Sequence, residues 1–163
     1  MVLSIFALLV WYFFPKIYVQ KDVAVQSANS LTPDVVVSSD AFVANGNIPV
    51  RYTCDGENIS PNLMFSGIPN GTQSLALTME DPDVPKQYRA DGIWNHWVVW
   101  NIPASTIRID DGEIPPGTLG TNTSGKVAYQ GPCPPDREHR YVFTLYALDT
   151  MLTLPRGATK EEF

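Results

Sequence analysis

Gly92-Ile93-Trp94-Asn95-His96-Trp97-Val98-Val99-Trp100-Asn101-Ile102 is a proline-free run dense in tryptophan, valine and isoleucine, the residue types that favour a pleated, buried surface. Read as a strand, it puts Trp94, His96, Val98, Trp100 and Ile102 on one face, since residues two apart point the same way. An imidazole then interrupts a face that is otherwise apolar. Working outward, His139 to Leu148 reads as a second strand, with His139, Tyr141, Phe143, Leu145 and Ala147 on one face. The run Ser74 to Glu80 is a third, and its apolar face Leu75, Leu77, Met79 ends on Asp81. A polar group that continues a core-facing stripe is costly unless it has a partner. Taken singly, each is an ordinary core histidine or capping aspartate. Taken together, they predict three neighbouring strands whose polar ends, Asp81, His96, His139 and Tyr141, converge on one pocket.

The rest of the chain supports a mainly β domain. Fourteen prolines and eleven glycines separate short valine- and tyrosine-rich runs, a pattern of strands joined by shaped loops. Strands are expected at Val35 to Val37, Ile48 to Cys54 and Leu63 to Phe65, with a shorter apolar stretch at Ala41 to Val43. Asn45-Gly46-Asn47 and Asn70-Gly71 mark turns. Between Ile102 and His139 lies a connection of roughly 35 residues, rich in glycine and proline, with one short strand expected at Val127 to Tyr129. A loop of that length in a compact domain is usually functional.

The 17 acidic residues outnumber the 11 basic ones, which argues against nonspecific binding to nucleic acid or to an anionic membrane surface. Any bound anion must be held locally. Cys54 and Cys133 are too few for a disulfide scaffold and lack zinc-motif spacing; they form one bridge or remain two thiols. Met1 to Phe14 is apolar apart from Ser4, and apolar character resumes at Ile17 to Val19. Residues 1–20 are therefore expected to be a signal or membrane anchor, 21–34 a linker and 35–163 the domain. An uncleaved anchor with an extracytoplasmic domain is the expected arrangement. The alternative is cytoplasmic, since Lys16 and Lys21 both follow the apolar run. Thr159 and Glu162 form a capping box that opens a helix, so the domain is expected to be incomplete at its C-terminus.

No G-x-S-x-G elbow is present. Gly120 to Lys126 starts like a phosphate-binding loop, but Val127 stands where a hydroxyl is needed. Two alternatives to simple binding remain: a hydrolase using Ser60 or Cys133 with a histidine base, and a metalloprotein using His96, His139 and Asp81.

Four blocks occur in order: Asp81-Pro82-Asp83-Val84-Pro85, Trp94-Asn95-His96-Trp97, Gly131-Pro132-Cys133-Pro134-Pro135 and His139-Arg140-Tyr141. With them the chain resembles the phosphatidylethanolamine-binding protein family over roughly residues 36 to 163. Tyr52-Thr53-Cys54-Asp55-Gly56, followed by Ser60-Pro61, resembles the prokaryotic Raf-kinase-inhibitor-like branch, the YbhB/YbcL type. The resemblance implies two antiparallel sheets with Greek-key connections, followed by a helix and strand beyond residue 163. It implies a small anion pocket built from Asp81, His96, Gly131, His139 and Tyr141, with Pro82 and Pro132 shaping the walls. The function implied is recognition without turnover of an anionic or phosphorylated ligand, such as phosphate or a phospholipid head group. No cofactor and no metal is implied, and a protein partner is left open. In such a pocket two imidazoles would donate to the anion, Asp81 would orient one of them, and Gly131 would let backbone approach the ligand.

Overall fold

The computed structural model describes residues 35–162. The expected anchor and linker lie outside those residues. Seven strands are arranged in two sheets: β1 (Val36–Ser38), β2 (Leu63–Ser66), β3 (Ser74–Asp81), β4 (Trp94–Pro103), β5 (Arg108–Ile109), β6 (Thr118–Leu119) and β7 (Val142–Leu148). One sheet has the order β1-β2-β5 and the other β6-β4-β3-β7, and every pairing is antiparallel. The only helical turns among the described residues are of the 3-10 type, at Val50–Tyr52 and Lys160–Glu162.

The central pair β3–β4 is covered on both faces, as its nearly unbroken apolar sequence requires. On one face Leu75, Leu77, Met79, Trp97, Val99, Phe143 and Leu145 pack against Val37, Leu63, Phe65 and Ile109 of the smaller sheet. On the other, Ala76, Val98 and Trp100 meet Leu152, Leu154 and Ala158, where the chain crosses back after β7. Each buried indole, Trp97 on the inner face and Trp100 on the outer, removes on the order of 4–6 kcal/mol of apolar surface from water before entropy is counted. β2 shows the plain alternation of a sheet with one solvated side: Leu63 and Phe65 are buried, whereas Ser66 is exposed.

The expected single face through Trp94, His96, Val98, Trp100 and Ile102 is not what β4 presents. Its register with β3 slips twice. Leu77 and Met79 oppose Val99 and Trp97, so those two face the inner core, and Val98 and Trp100 turn outward. Between Leu75↔Ile102 and Leu77↔Val99 the strand carries an extra residue, and Asn101 there adopts φ 54°. Its side chain bonds the backbone N–H and C=O of Leu152, each at 2.8 Å, pinning the returning segment to the outer face. The other slip leaves His96 as the extra residue, between Met79↔Trp97 and Glu80↔Asn95. Such a bulge re-aims a side chain. β3 and β7 do keep the expected parity, with Phe143 opposite Met79, Leu145 opposite Leu77 and Ala147 opposite Leu75.

Ile48 to Cys54 is not a strand. After Pro49 the backbone makes a 3-10 turn, and the Thr53 hydroxyl and N–H both return to the Val50 carbonyl. Gly56 then lies so close beneath Val50 that a Cβ would stand 2.2 Å from that carbonyl oxygen. Nor is Val127 to Tyr129 a strand: Tyr129 reaches across to donate its hydroxyl to the Tyr52 carbonyl at 2.8 Å. Strand β7 starts at Val142, so His139 and Tyr141 precede it rather than lie within it. Of the expected capping box only half forms, around a single 3-10 turn: the Glu162 carboxylate accepts from the Thr159 N–H and also from its hydroxyl, while the Glu162 N–H goes to the Thr159 carbonyl.

Candidate functional site

Asp81 ends β3, and the tight loop that follows is held by its own carboxylate, which accepts the Asp83 N–H at 2.8 Å. Its second oxygen receives His139 Nδ1 at 2.6 Å. Asp83 in turn takes Arg140 Nε at 2.8 Å, Nη2 at 2.7 Å and the Arg140 backbone N–H at 2.9 Å. The two aspartates of Asp81-Pro82-Asp83 thus grip the consecutive residues His139 and Arg140. Bidentate pairing of this kind fixes direction as well as distance. The Arg140 guanidinium holds the Asp83 carboxyl below the usual carboxylate range, and partial burial opposes it.

His139 is fully buried, and both its ring nitrogens face carboxylates: Nε2 lies 2.9 Å from Asp136 Oδ1. Carboxylates only accept, so both contacts are satisfied when the ring carries both N–H groups. Asp81, His139 and Asp136 then form a line of one cation between two anions. Asp136 is half-exposed and is also bonded by Arg137 Nη1 at 2.9 Å. The His139 bond, with Arg137 behind it, keeps the Asp136 carboxyl below its ordinary range.

His96 is held differently. Its carbonyl accepts the Gln130 N–H at 3.0 Å, and Nδ1 donates to the Gln130 carbonyl at 2.8 Å. Nδ1 therefore carries the proton in the neutral ring, leaving Nε2 as an uncommitted acceptor. Burial pushes the His96 pKa down, against the opposing pull of the Gln130 carbonyl and the Asp81 charge. Tyr141 packs behind, its ring meeting the imidazole edge-on at 5.3 Å between centroids. The Tyr141 hydroxyl faces the backbone of Cys133 but finds no partner at hydrogen-bond geometry, and burial raises its pKa far above the phenolic value.

Asp81, His96 and His139 open onto one cavity of about 330 Å³. Its mouth is apolar and aromatic, formed by Val84, Tyr88, Trp94 and Pro135. The Trp94 indole donates to Gln130 Oε1 at 3.2 Å, which ties the rim to the residue that holds His96. The other sequence-predicted residues do not line this cavity. Pro82 shapes the turn between the two aspartates. Gly131 and Pro132 are buried against the loop at residues 52–58: the Gly131 N–H donates to Asn58 Oδ1 at 2.7 Å, and the Pro132 carbonyl accepts from Cys54. A Cβ at Gly131 would stand 2.4 Å from the Tyr52 carbonyl oxygen, so glycine is needed for loop packing, not for approach of a ligand. Tyr141 supports His96 from behind.

Cys54 and Cys133 are joined in a disulfide with Cα atoms 5.5 Å apart. Cys133 lines the cavity but offers no thiol, so it is not the nucleophile that one alternative required. Ser60 lies at a different cavity, beside Trp97, Tyr129 and Arg156, away from both histidines. Both nitrogens of His139 are engaged by carboxylates, and among the described residues no group of three or more His, Cys, Asp or Glu is placed to hold a metal. Sequence reasoning missed Asp136, Gln130 and the rim residues. Asp83 and Arg140 were within reach, since each directly adjoins a selected motif position.

The sequence model named phosphatidylethanolamine-binding protein matches residues 38–163. The chain belongs to that family. It is 48% identical over 124 residues to a UPF0098 protein of Chlamydia pneumoniae, covering 76% of this chain and 83% of the relative. A UPF0098 protein of Methanothermobacter thermautotrophicus is 48% identical over 132 residues, covering 77% and 84%. Two solved structures are similar. CT736 from Chlamydia trachomatis, a phosphatidylethanolamine-binding protein homolog, superimposes with a TM-score of 0.76 at 44% identity, over 78% of this chain and 84% of that one. E. coli YbcL gives 0.69 at 31% identity, over 77% and 83%. The family's ordered motifs thus coincide here with a mainly antiparallel fold that brings Asp81, His96 and His139 to one cavity.

Proposed function

We propose that this phosphatidylethanolamine-binding protein relative is a binding module whose cavity takes a small anionic or phosphorylated ligand, phosphate or a phospholipid-head-group-like diester, without chemical turnover. The observation that carries the reading is His96 Nε2. Among the described residues it is the imidazole nitrogen at the cavity with no hydrogen bond of good geometry to the protein, although the Gly131 backbone lies close enough to pull on the ring. Neutral, it only accepts. An anion without a proton of its own is held there once the ring takes one up, giving a charge-assisted bond in an apolar-walled site. The cavity volume suits a small ligand. The walls include Pro135, the disulfide-bonded Cys133 and the buried Asp81–His139 pair, so the site is preorganised. Among the described residues no serine, threonine or free thiol lines the cavity beside the imidazoles, which supports binding over hydrolysis.

Calorimetric titration with a phosphodiester tests the assignment. His96→Ala is expected to weaken binding by about 1.5–3 kcal/mol, the scale of a hydrogen bond to a charged group. Unchanged affinity in a folded His96→Ala variant contradicts it.

A further inference from the structure

His139 is the natural second donor for an anion in this cavity, yet both its ring nitrogens are already occupied. Asp136 Oδ1 stands 2.9 Å from Nε2, at the distance of a charge-assisted bond. Unlike Asp81, which is buried and fixed at a strand end, Asp136 is half-exposed and sits on the loop between Pro135 and His139, both of which line the cavity. Its other oxygen is held by Arg137 Nη1 at 2.9 Å. Because Arg137 is its chain neighbour, Asp136 keeps an ionic partner if it swings away from the imidazole. His139 has no such freedom: it is buried, and losing the Nε2 contact leaves an N–H without an acceptor unless something replaces it.

We propose that Asp136 is a tethered carboxylate occupying the anion position at His139 Nε2, which an incoming anionic ligand must displace. This rests on reading the cavity as an anion site. A carboxylate three residues away acts at a high effective concentration, so it outcompetes free anions that bind weakly. It rejects ligands too poorly matched to the rest of the cavity to displace it. Its charge also opposes a second anion directly, across a few ångströms in a site of low polarity. The His139–Asp136 contact is thus a threshold for ligand selection as well as a structural bond. The other charges facing this point are Asp81 on the far side of the ring and Arg137 behind Asp136; Arg140 is turned to Asp83.

The test uses dimethyl phosphate, which has no second ionisation, titrated into the wild-type chain and into Asp136→Asn, Asp136→Ala and His96→Ala. Both Asp136 variants are expected to bind it about tenfold more tightly than wild type, with His96→Ala weaker. Binding in Asp136→Asn where wild type shows none also supports the proposal. If wild type binds, His96→Ala does not, and the Asp136 variants match or fall below wild type, the displaced-carboxylate proposal is overturned while the anion site stands. If neither wild type nor either Asp136 variant binds, the anion site itself fails and the proposal with it. Thermal melting of each variant establishes that affinities are compared between folded proteins.

Discussion

Replacing His139 by alanine strands the Asp81 carboxylate, which is buried and, among the described residues, bonded to that ring and to the Asp83 amide. Removing one member of a buried pair costs about 3–5 kcal/mol, more than the intact pair is worth. Denaturant unfolding of His139→Ala should show a loss in that range, whereas a change under about 1 kcal/mol would mean that Asp81 is solvated or otherwise paired. His96 acts in the opposite sense. Its folded pKa is depressed by burial, so the folded state binds fewer protons than the unfolded chain near pH 6. The stability associated with this residue is complete above the unfolded value of about 6.5 and falls as pH drops toward the depressed one. Unfolding free energies measured between pH 7.5 and 5 should decline more for wild type than for His96→Gln. These two histidines and Asp81 were legible in the sequence because each continues or ends an apolar stripe. Asp136 was not, because nothing local distinguishes a loop aspartate that turns back on a histidine from one that faces water. Gly131 was expected in the pocket, but its constraint comes from packing against a loop distant in sequence.

At the scale of the element, the bulges in β4 decide where its side chains go. A strict two-residue period would have put Trp97 and His96 on opposite faces. The extra residue at His96 leaves Trp97 in the inner core and His96 at the cavity. Periodicity cannot reveal a bulge inside a run that is apolar on both sides, since either register buries tryptophans. Strands β5 and β6 are two residues each, below any period that a sequence shows. The stretch at Ile48 to Cys54 misleads because Val50 and Tyr52 alternate like a strand while Pro49 and Gly56 impose turns. The second irregularity offers a test. Asn101→Ala meets the positive φ and also loses both bonds to Leu152. It should destabilise by about 2–3 kcal/mol, against about 1–2 for Asn101→Gly, which relieves the backbone but not the lost bonds. Equal losses in denaturant unfolding would show that the backbone conformation carries no cost.

For the whole molecule, the disulfide is the longest covalent constraint. It spans 79 residues and ties the loop around Gly56 to the cavity wall at Cys133. Loop closure of that length gives an upper bound of about 4.5 kcal/mol, with about 2–4 typical. Reduction, or the double change of Cys54 and Cys133 to serine, should lower stability by that amount and weaken ligand binding, because the wall is no longer held. A persisting disulfide belongs to an oxidising compartment. We propose on that basis that the domain lies outside the cytoplasm, held by the apolar N-terminal segment; protease accessibility in intact cells, with the domain digested only after lysis, would refute it. The two-sheet fold was legible from strand patterning and the ordered family motifs. The pairing of the cysteines was not, because two cysteines alone do not show that their loops meet.

The central claim is that a diester anion binds as the His96 ring takes up a proton from solvent. The most direct measurement is calorimetry of dimethyl phosphate binding from pH 6 to pH 8 in buffers of different ionisation enthalpy. With the His96 pKa depressed by burial, affinity should fall as pH rises across that range, and protons should be taken up as the ligand binds. Binding that neither varies with pH nor takes up a proton would contradict the account.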